Sequence, residues 1–232
     1  MVDIMKEMGY DAIGLGNHEF DFGTPHLTKL VEENGLPVVN MNLRSLHPDS
    51  MFFTPYIIKD FGGKKIAFVG VVTPESLISE AYSFFDKQGK QMLSLCEDNL
   101  VDEVQKTVNE ARKAGAHYVI LLSHLGEASA KNFLTSHRLV SSTRGIDVVL
   151  DGHTHSRIPC ETVLNADGDT VLLSQTGSRF KNVGKLVIRP DGRMSTELIP
   201  VDSIKQESAH IRQVTDSIEA MMAKVTTNKI CH

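Results

Sequence analysis

The chain has 232 residues, 41% of them hydrophobic and 23% charged, with no tryptophan. That length buries a sizeable core and suits one large α/β domain or two small ones. A formal charge of −5 argues against a nucleic-acid polymer as partner, since a phosphate backbone needs a basic face, and no apolar run approaches the roughly 20 residues of a membrane span. The first residues, 1–7, lack the basic start and apolar stretch of a signal peptide. Cys96, Cys160 and Cys231 are odd in number and widely spaced, so they give neither a disulfide framework nor zinc-finger spacing.

In chain order, residues 3–8 read as the end of a helix that Gly9 stops. Residues 12–16 and 36–43 are short buried-type strand runs. Residues 64–72 form a strong strand pattern through Ile66, Phe68, Val69, Val71 and Val72. Leu100, Val101, Val104, Val108 and Ala111 recur at helical spacing, with Gly115 at the stop, and strand runs follow at 118–122 and 147–150. Strands alternating with helices predict a layered α/β architecture. Beyond residue 160 the texture changes. Runs at 171–174, 183–189 and 196–201, with Asp-Gly turns at Asp167-Gly168 and Asp191-Gly192, predict antiparallel hairpins. Ile211, Val214, Ile218, Met221 and Val225 make the apolar stripe of a terminal amphipathic helix. The pattern opens in the middle of an α/β unit, which leads us to expect further sequence upstream.

The chemistry gathers where strands end. Residues 12–16 lead into Asn17-His18-Glu19-Phe20-Asp21, the run at 118–122 into Ser123-His124, and the run at 147–150 into Asp151-Gly152-His153-Thr154-His155. In open α/β sheets ligands bind outside the carboxyl ends of the strands, so these clusters are expected to converge. Neutral imidazoles suit Zn, Mn, Fe or Ni. His153 and His155 are two residues apart and would point the same way in an extended segment. Asn17 and His18 are adjacent and so point differently, one toward a metal and the other toward a substrate. Asp21, three residues after His18, can hold its ring and stabilise its protonated form. That spacing makes His18 a general acid and Asp21 its orienter.

These residues carry a resemblance. Gly16-Asn17-His18-Glu19-Phe20-Asp21 resembles the Gly-Asn-His-Glu motif of the calcineurin-like metallophosphoesterases. Gly152-His153-Thr154-His155 resembles their Gly-His-x-His motif, and His124 their lone histidine. Met8-Gly9-Tyr10-Asp11, Asn40-Met41-Asn42 and Gln175-Thr176-Gly177 look like the 5′-nucleotidase branch. The resemblance implies a layered β-sandwich flanked by helices, and a two-metal phosphoesterase (Mn, Zn, Fe or similar) in which a metal-bound hydroxide attacks phosphorus. It implies Asn17, His124 and His153 as ligands of one metal, His155 as a ligand of the other, and His18 and Asp21 as the catalytic dyad. The implied substrate is a nucleotide or other phosphate ester; the alternatives are a 2′,3′-cyclic-nucleotide phosphodiesterase or nucleotide-sugar hydrolase of the same fold, or a non-catalytic metal-binding fragment or interaction module. The family's opening Asp-x-His and Gly-Asp motifs have no convincing counterpart: Asp151-Gly152-His153 already belongs to the later motif, and Gly168-Asp169 falls in a hairpin turn. The resemblance therefore implies residues 1–202 as a catalytic domain without its first strand–helix units and with one well-formed metal site. Residues 203–232 would form a helix resembling the connector to a C-terminal nucleotidase domain. It further implies export to the periplasm or cell surface, and an open sheet edge prone to association.

Overall fold

The computed structural model describes residues 2–129 and 131–229, with side chains of the last helix to residue 220. Helix α1 (Val2–Met8) is followed by β1 (Ile13–Gly14), a 3-10 turn (Asn17–Phe20), α2 (Thr24–Asn34) and β2 (Val38–Val39). Strands β3 (Arg44–Leu46), β4 (Asp49–Met51), β5 (Tyr56–Phe61) and β6 (Lys64–Val72) come next, then α3 (Ser76–Ser79), β7 (Leu93–Ser94) and α4 (Leu100–Lys113). Strand β8 (Tyr118–His124), α5 (Ser136–Ser142) and β9 (Val148–Asp151) lead to two hairpins. These are β10 (Arg157–Leu164) with β11 (Thr170–Thr176), and β12 (Asn182–Ile188) with β13 (Met194–Pro200). Helix α6 (Ala209–Lys229) lies against α1.

The central sheet has the order β10-β11-β9-β8-β6-β5, and β6, β8, β9 and β11 run parallel. Parallel strands are stable when both faces are covered. One face is covered by helices: Val104, Val108 and Ala111 of α4 and Leu139 and Val140 of α5 share a core with Val69, Val119 and Leu121 of the sheet. The other face meets a second β layer, with β1 and β2 over β6 and β8, and β12 and β13 over β10 and β11. Leu27 and Val31 of α2 close a second core over this layer with Leu15, Phe20 and Val38. The result is the expected β-sandwich flanked by helices.

Both Asp-Gly hairpins form where the turn chemistry places them. The antiparallel pairing is as expected, and β11 has a second neighbour besides: it runs parallel to β9 in the central sheet, with Leu172 opposite Val148 and Gln175 opposite Asp151. Its residues Val171 and Leu173 are fully buried, and that apolar face draws it into the core. The terminal helix puts Ile211, Val214 and Ile218 on its half-buried face; Met221 and Val225 lie outside the described side chains.

Between the two halves of the second layer the sheet face is bare. Ile66, Phe68, Tyr118 and Leu150 line a cavity of about 620 Å³ with Leu186 and Ile188 of β12. Leu150 also lines a cavity of about 320 Å³ with Ile13, Leu15 and Leu122, and His124 stands at its end. Among the described residues, strand β1 pairs only with β2, and β12 only with β13, so each has an unpaired edge there beside this trough.

Candidate active site

At the carboxyl end of β1 the chain turns sharply. The Glu19 carboxylate accepts the Gly16 N–H at 2.7 Å, and the fully buried Phe20 ring packs on Phe84 with centroids 4.9 Å apart. This anchoring turns Asn17 inward and His18 outward. The Asn17 Nδ2 donates to Oε1 of buried Glu80 at 3.1 Å, which leaves its Oδ1 3.1 Å from His124 Nε2. The His18 side chain is 74% exposed, and its Nδ1 lies 3.2 Å from Asp21 Oδ2.

His124 ends β8, and its ring is held between two glycines. A Cβ on Gly16 would stand 2.8 Å from its Cε1, and a Cβ on Gly152 would stand 2.7 Å from its Nδ1. The glycine that opens each flanking motif is there for close approach. Burial, followed by the neighbouring His153, His18 and His155, pushes the His124 imidazole down to about 4. It is therefore neutral at pH 7 with a lone pair to offer. The metal-free protein should lose stability on acidification, because the unfolded chain binds a proton at His124 below about pH 6.5 while the fold resists it. The loss should reach roughly 3 kcal/mol as pH falls from about 6.5 to about 4, and be absent above that window. Urea unfolding at pH 7.5 and 5 checks this. His124→Gln should show a visibly smaller difference, and an equal one would rule His124 out as its source.

The third cluster departs from expectation. His153 and His155 do not lie on one extended strand. They sit at left-handed φ values of 80° and 60°, in a turn after β9 has ended at Asp151. Shared direction therefore cannot be argued from alternation along a strand. The His153 ring lies 5.3 Å from the His124 ring, centroid to centroid, and His155 is exposed. The His153 Nε2 meets Glu75 Oε2 at 3.1 Å, and the other Glu75 oxygen meets Lys131 Nζ at 3.1 Å. Burial works to raise the Glu75 carboxyl, but the hydrogen bonds from His153 and Lys131 outweigh it and hold it below the usual range. Asp151 is pushed up by burial against its backbone hydrogen bonds to Gly152 and Gly126, and its Oδ2 is a buried atom without a partner.

Asn17, His124 and His153 thus come together at the ends of β1, β8 and β9, with the His18–Asp21 pair at the rim. Among the described residues, His18, Asp21 and buried Glu80 form a group of three whose ligand atoms all lie within 4.8 Å of one another. The donor set fits a divalent cation. It offers a neutral buried imidazole, an amide oxygen aimed by Glu80, and a second imidazole beside them. Glu75, Glu80 and Glu127 were not singled out from the sequence. Glu127 had one available signal, its place three residues after His124, whereas Glu75 and Glu80 flank the short helix α3, which carries no motif of its own.

No family model matches the chain. It is 31% identical over 170 residues, 68% of this chain and 25% of the relative, to a 2′,3′-cyclic-nucleotide 2′-phosphodiesterase/3′-nucleotidase of Haemophilus influenzae. It is 30% identical over 162 residues, 67% of this chain and 25% of the relative, to a snake venom 5′-nucleotidase of Gloydius brevicauda. In fold it is similar to a 5′-nucleotidase precursor from Thermus thermophilus, with a TM-score of 0.73 at 23% identity over 96% of this chain and 46% of that one. The calcineurin-like phosphoesterase YfkN from Bacillus subtilis gives 0.73 at 22% identity over 96% and 72%. The chain spans about a quarter of the length of these two curated relatives. Sequence over two thirds of its length, and fold over nearly all of it, make the chain a member of the 5′-nucleotidase branch of the calcineurin-like metallophosphoesterases.

Proposed function

We propose that this chain carries the later part of a metal-dependent nucleotide phosphoesterase site, in which His18 is the general acid. The observation that supports this most is the meeting of Asn17, His124 and His153 at adjacent strand ends, beside an exposed His18–Asp21 pair. Asn17, His124 and His153 would hold one divalent cation and His155 would contribute to a second; when bound, such ions supply a nucleophile at neutral pH and neutralise developing charge. Asp21 accepts the Nδ1 proton of His18, which orients the ring. The Nε2 proton is then free for the leaving oxygen of the ester. Neutral His124 keeps its lone pair, and Glu80 keeps the Asn17 oxygen turned to the same place. The names of the relatives favour nucleotide monoesters and cyclic nucleotides as substrates, and the snake venom relatives favour an exported protein. Among the described residues no helix is long and apolar enough to cross a membrane.

A second reading also has an observation behind it. The sequence holds no Asp-x-His or Gly-Asp pair free to complete the second metal position. The bare trough between the open edges of β1 and β12 ends at His124, with room for added strands. On this reading the chain alone binds metal without turnover and associates through that edge. Metal content of the purified chain, measured with Mn-stimulated phosphate release from AMP and 2′,3′-cyclic AMP, separates the two. About two metals per chain with His18-dependent release supports the enzyme; one or none, with no release above His18→Ala, supports the second reading.

A further inference from the structure

Glu127 lies outside every motif, yet the surrounding structure holds it firmly. The Gly126 N–H donates to Asp151 Oδ1 at 3.2 Å, and the Gly126 carbonyl accepts the Ser136 N–H at 2.8 Å. The Glu127 carbonyl is 3.1 Å from His137 Nδ1. Delivered by this hydrogen-bonded backbone, the Glu127 carboxylate accepts the hydroxyl of Thr154, the hydroxyl of Ser156 at 2.5 Å and the Gln175 Nε2–H at 3.2 Å. Gln175 is 1% exposed, and its Oε1 accepts the Ser156 N–H at 2.7 Å. Thr154 and Ser156 are the two residues that alternate with His153 and His155. Both histidines hold left-handed backbone, which costs about 1–2 kcal/mol for a residue with a Cβ, so the turn needs outside support.

We propose that Glu127 is the positioning residue of the His153-Thr154-His155 turn: by clamping Thr154 and Ser156 it holds the intervening backbone so that the two imidazoles are presented together. This rests on the reading of His153 and His155 as metal ligands. Groups behind a ligating histidine orient it, and their loss typically weakens metal binding about 10–100-fold.

The test uses the full chain with Glu127→Ala and Glu127→Gln. Co²⁺ titration followed by visible absorption should show binding about 10–100-fold weaker in Glu127→Ala. Glu127→Gln keeps an acceptor oxygen for the hydroxyls and should recover most of that loss. Hydrogen exchange of the metal-free protein should show the Ser156 amide opening at least ~10-fold faster in Glu127→Ala, with the melting temperature shifted by only a few degrees. Unchanged Co²⁺ affinity with unchanged Ser156 exchange overturns the proposal, as does a Glu127→Gln variant no better than alanine. If the wild type binds no Co²⁺, the metal reading fails by itself. The Ser156 exchange and the ring-proton NMR shifts of His153 and His155 then decide the clamp: movement in Glu127→Ala supports it and identity with wild type overturns it. If the alanine variant does not fold, the glutamine variant is read alone, and a Co²⁺ affinity and Ser156 exchange both equal to wild type would support retention of the clamp, whereas both lost would overturn it.

Discussion

Gly70→Ala should cost the fold more than about 3 kcal/mol, a large part of the 5–15 kcal/mol that holds a typical domain together. A Cβ at Gly70 would lie 1.9 Å from the Val39 carbonyl oxygen and 2.5 Å from its carbon. The obstacle is backbone, so no rotamer change relieves it. At this point β2 crosses β6 in direct main-chain contact, and the Met41 N–H donates to the Gly70 carbonyl at 2.9 Å. The same approach sets the height of β1 above β8, where a Cβ on Gly14 would lie 3.0 Å from Leu122 Cβ. That height decides whether Asn17 reaches His124. A sharp fall in soluble yield, or in the urea midpoint at unchanged slope, is the expected readout. An unfolding free energy within about 1 kcal/mol of wild type would show that the crossing is soft.

His18→Ala should lower kcat by about 10²–10⁴-fold in any preparation with turnover, the usual contribution of a positioned proton donor. Its side chain is 74% exposed, so the melting temperature should not change, and a loss of rate cannot then be assigned to unfolding. Asp21→Asn should cost less, because the amide oxygen can still accept the Nδ1 proton and hold the ring in place. Substrates with a good leaving group, such as an aryl phosphate, need less help from an acid. Their hydrolysis should suffer less from His18→Ala than that of AMP. Equal losses on both substrates would remove His18 from the proton-donor role and leave it a binding one.

Much of the architecture could be read along the chain. The apolar run that becomes β6, the helical stripe of α4 and the two Asp-Gly hairpins are local signals, set by side-chain period and by turn residues. The strand-end clusters could be read the same way, since a polar group just after an apolar run marks the end of a strand. The runs at 12–16 and 36–43 do contain β1 and β2, but with two residues each these strands are much shorter than the apolar runs around them. Strand β11 could be read as half of a hairpin but not as the parallel neighbour of β9, because the choice of neighbour in a sheet is made by packing and is not written in the period of the strand itself.

What the sequence determined by itself was the main strand runs, the α4 stripe and the two Asp-Gly turns, whereas α2 and strands β3, β4, β5 and β7 carried no comparable signal. It determined as well the identity of Asn17, His18, Asp21, His124, His153 and His155 as residues following strand runs. Tertiary structure alone decided which groups face them. Glu80 meets Asn17 from 63 residues away, and Glu75 meets His153 from 78 away, distances over which no spacing rule operates. It also decided that His153 and His155 occupy a left-handed turn, since that strained backbone persists only where a surrounding network holds it. The bare trough beside β1 belongs to the same class: an uncovered sheet face is a property of layers, and layers form only when distant segments meet.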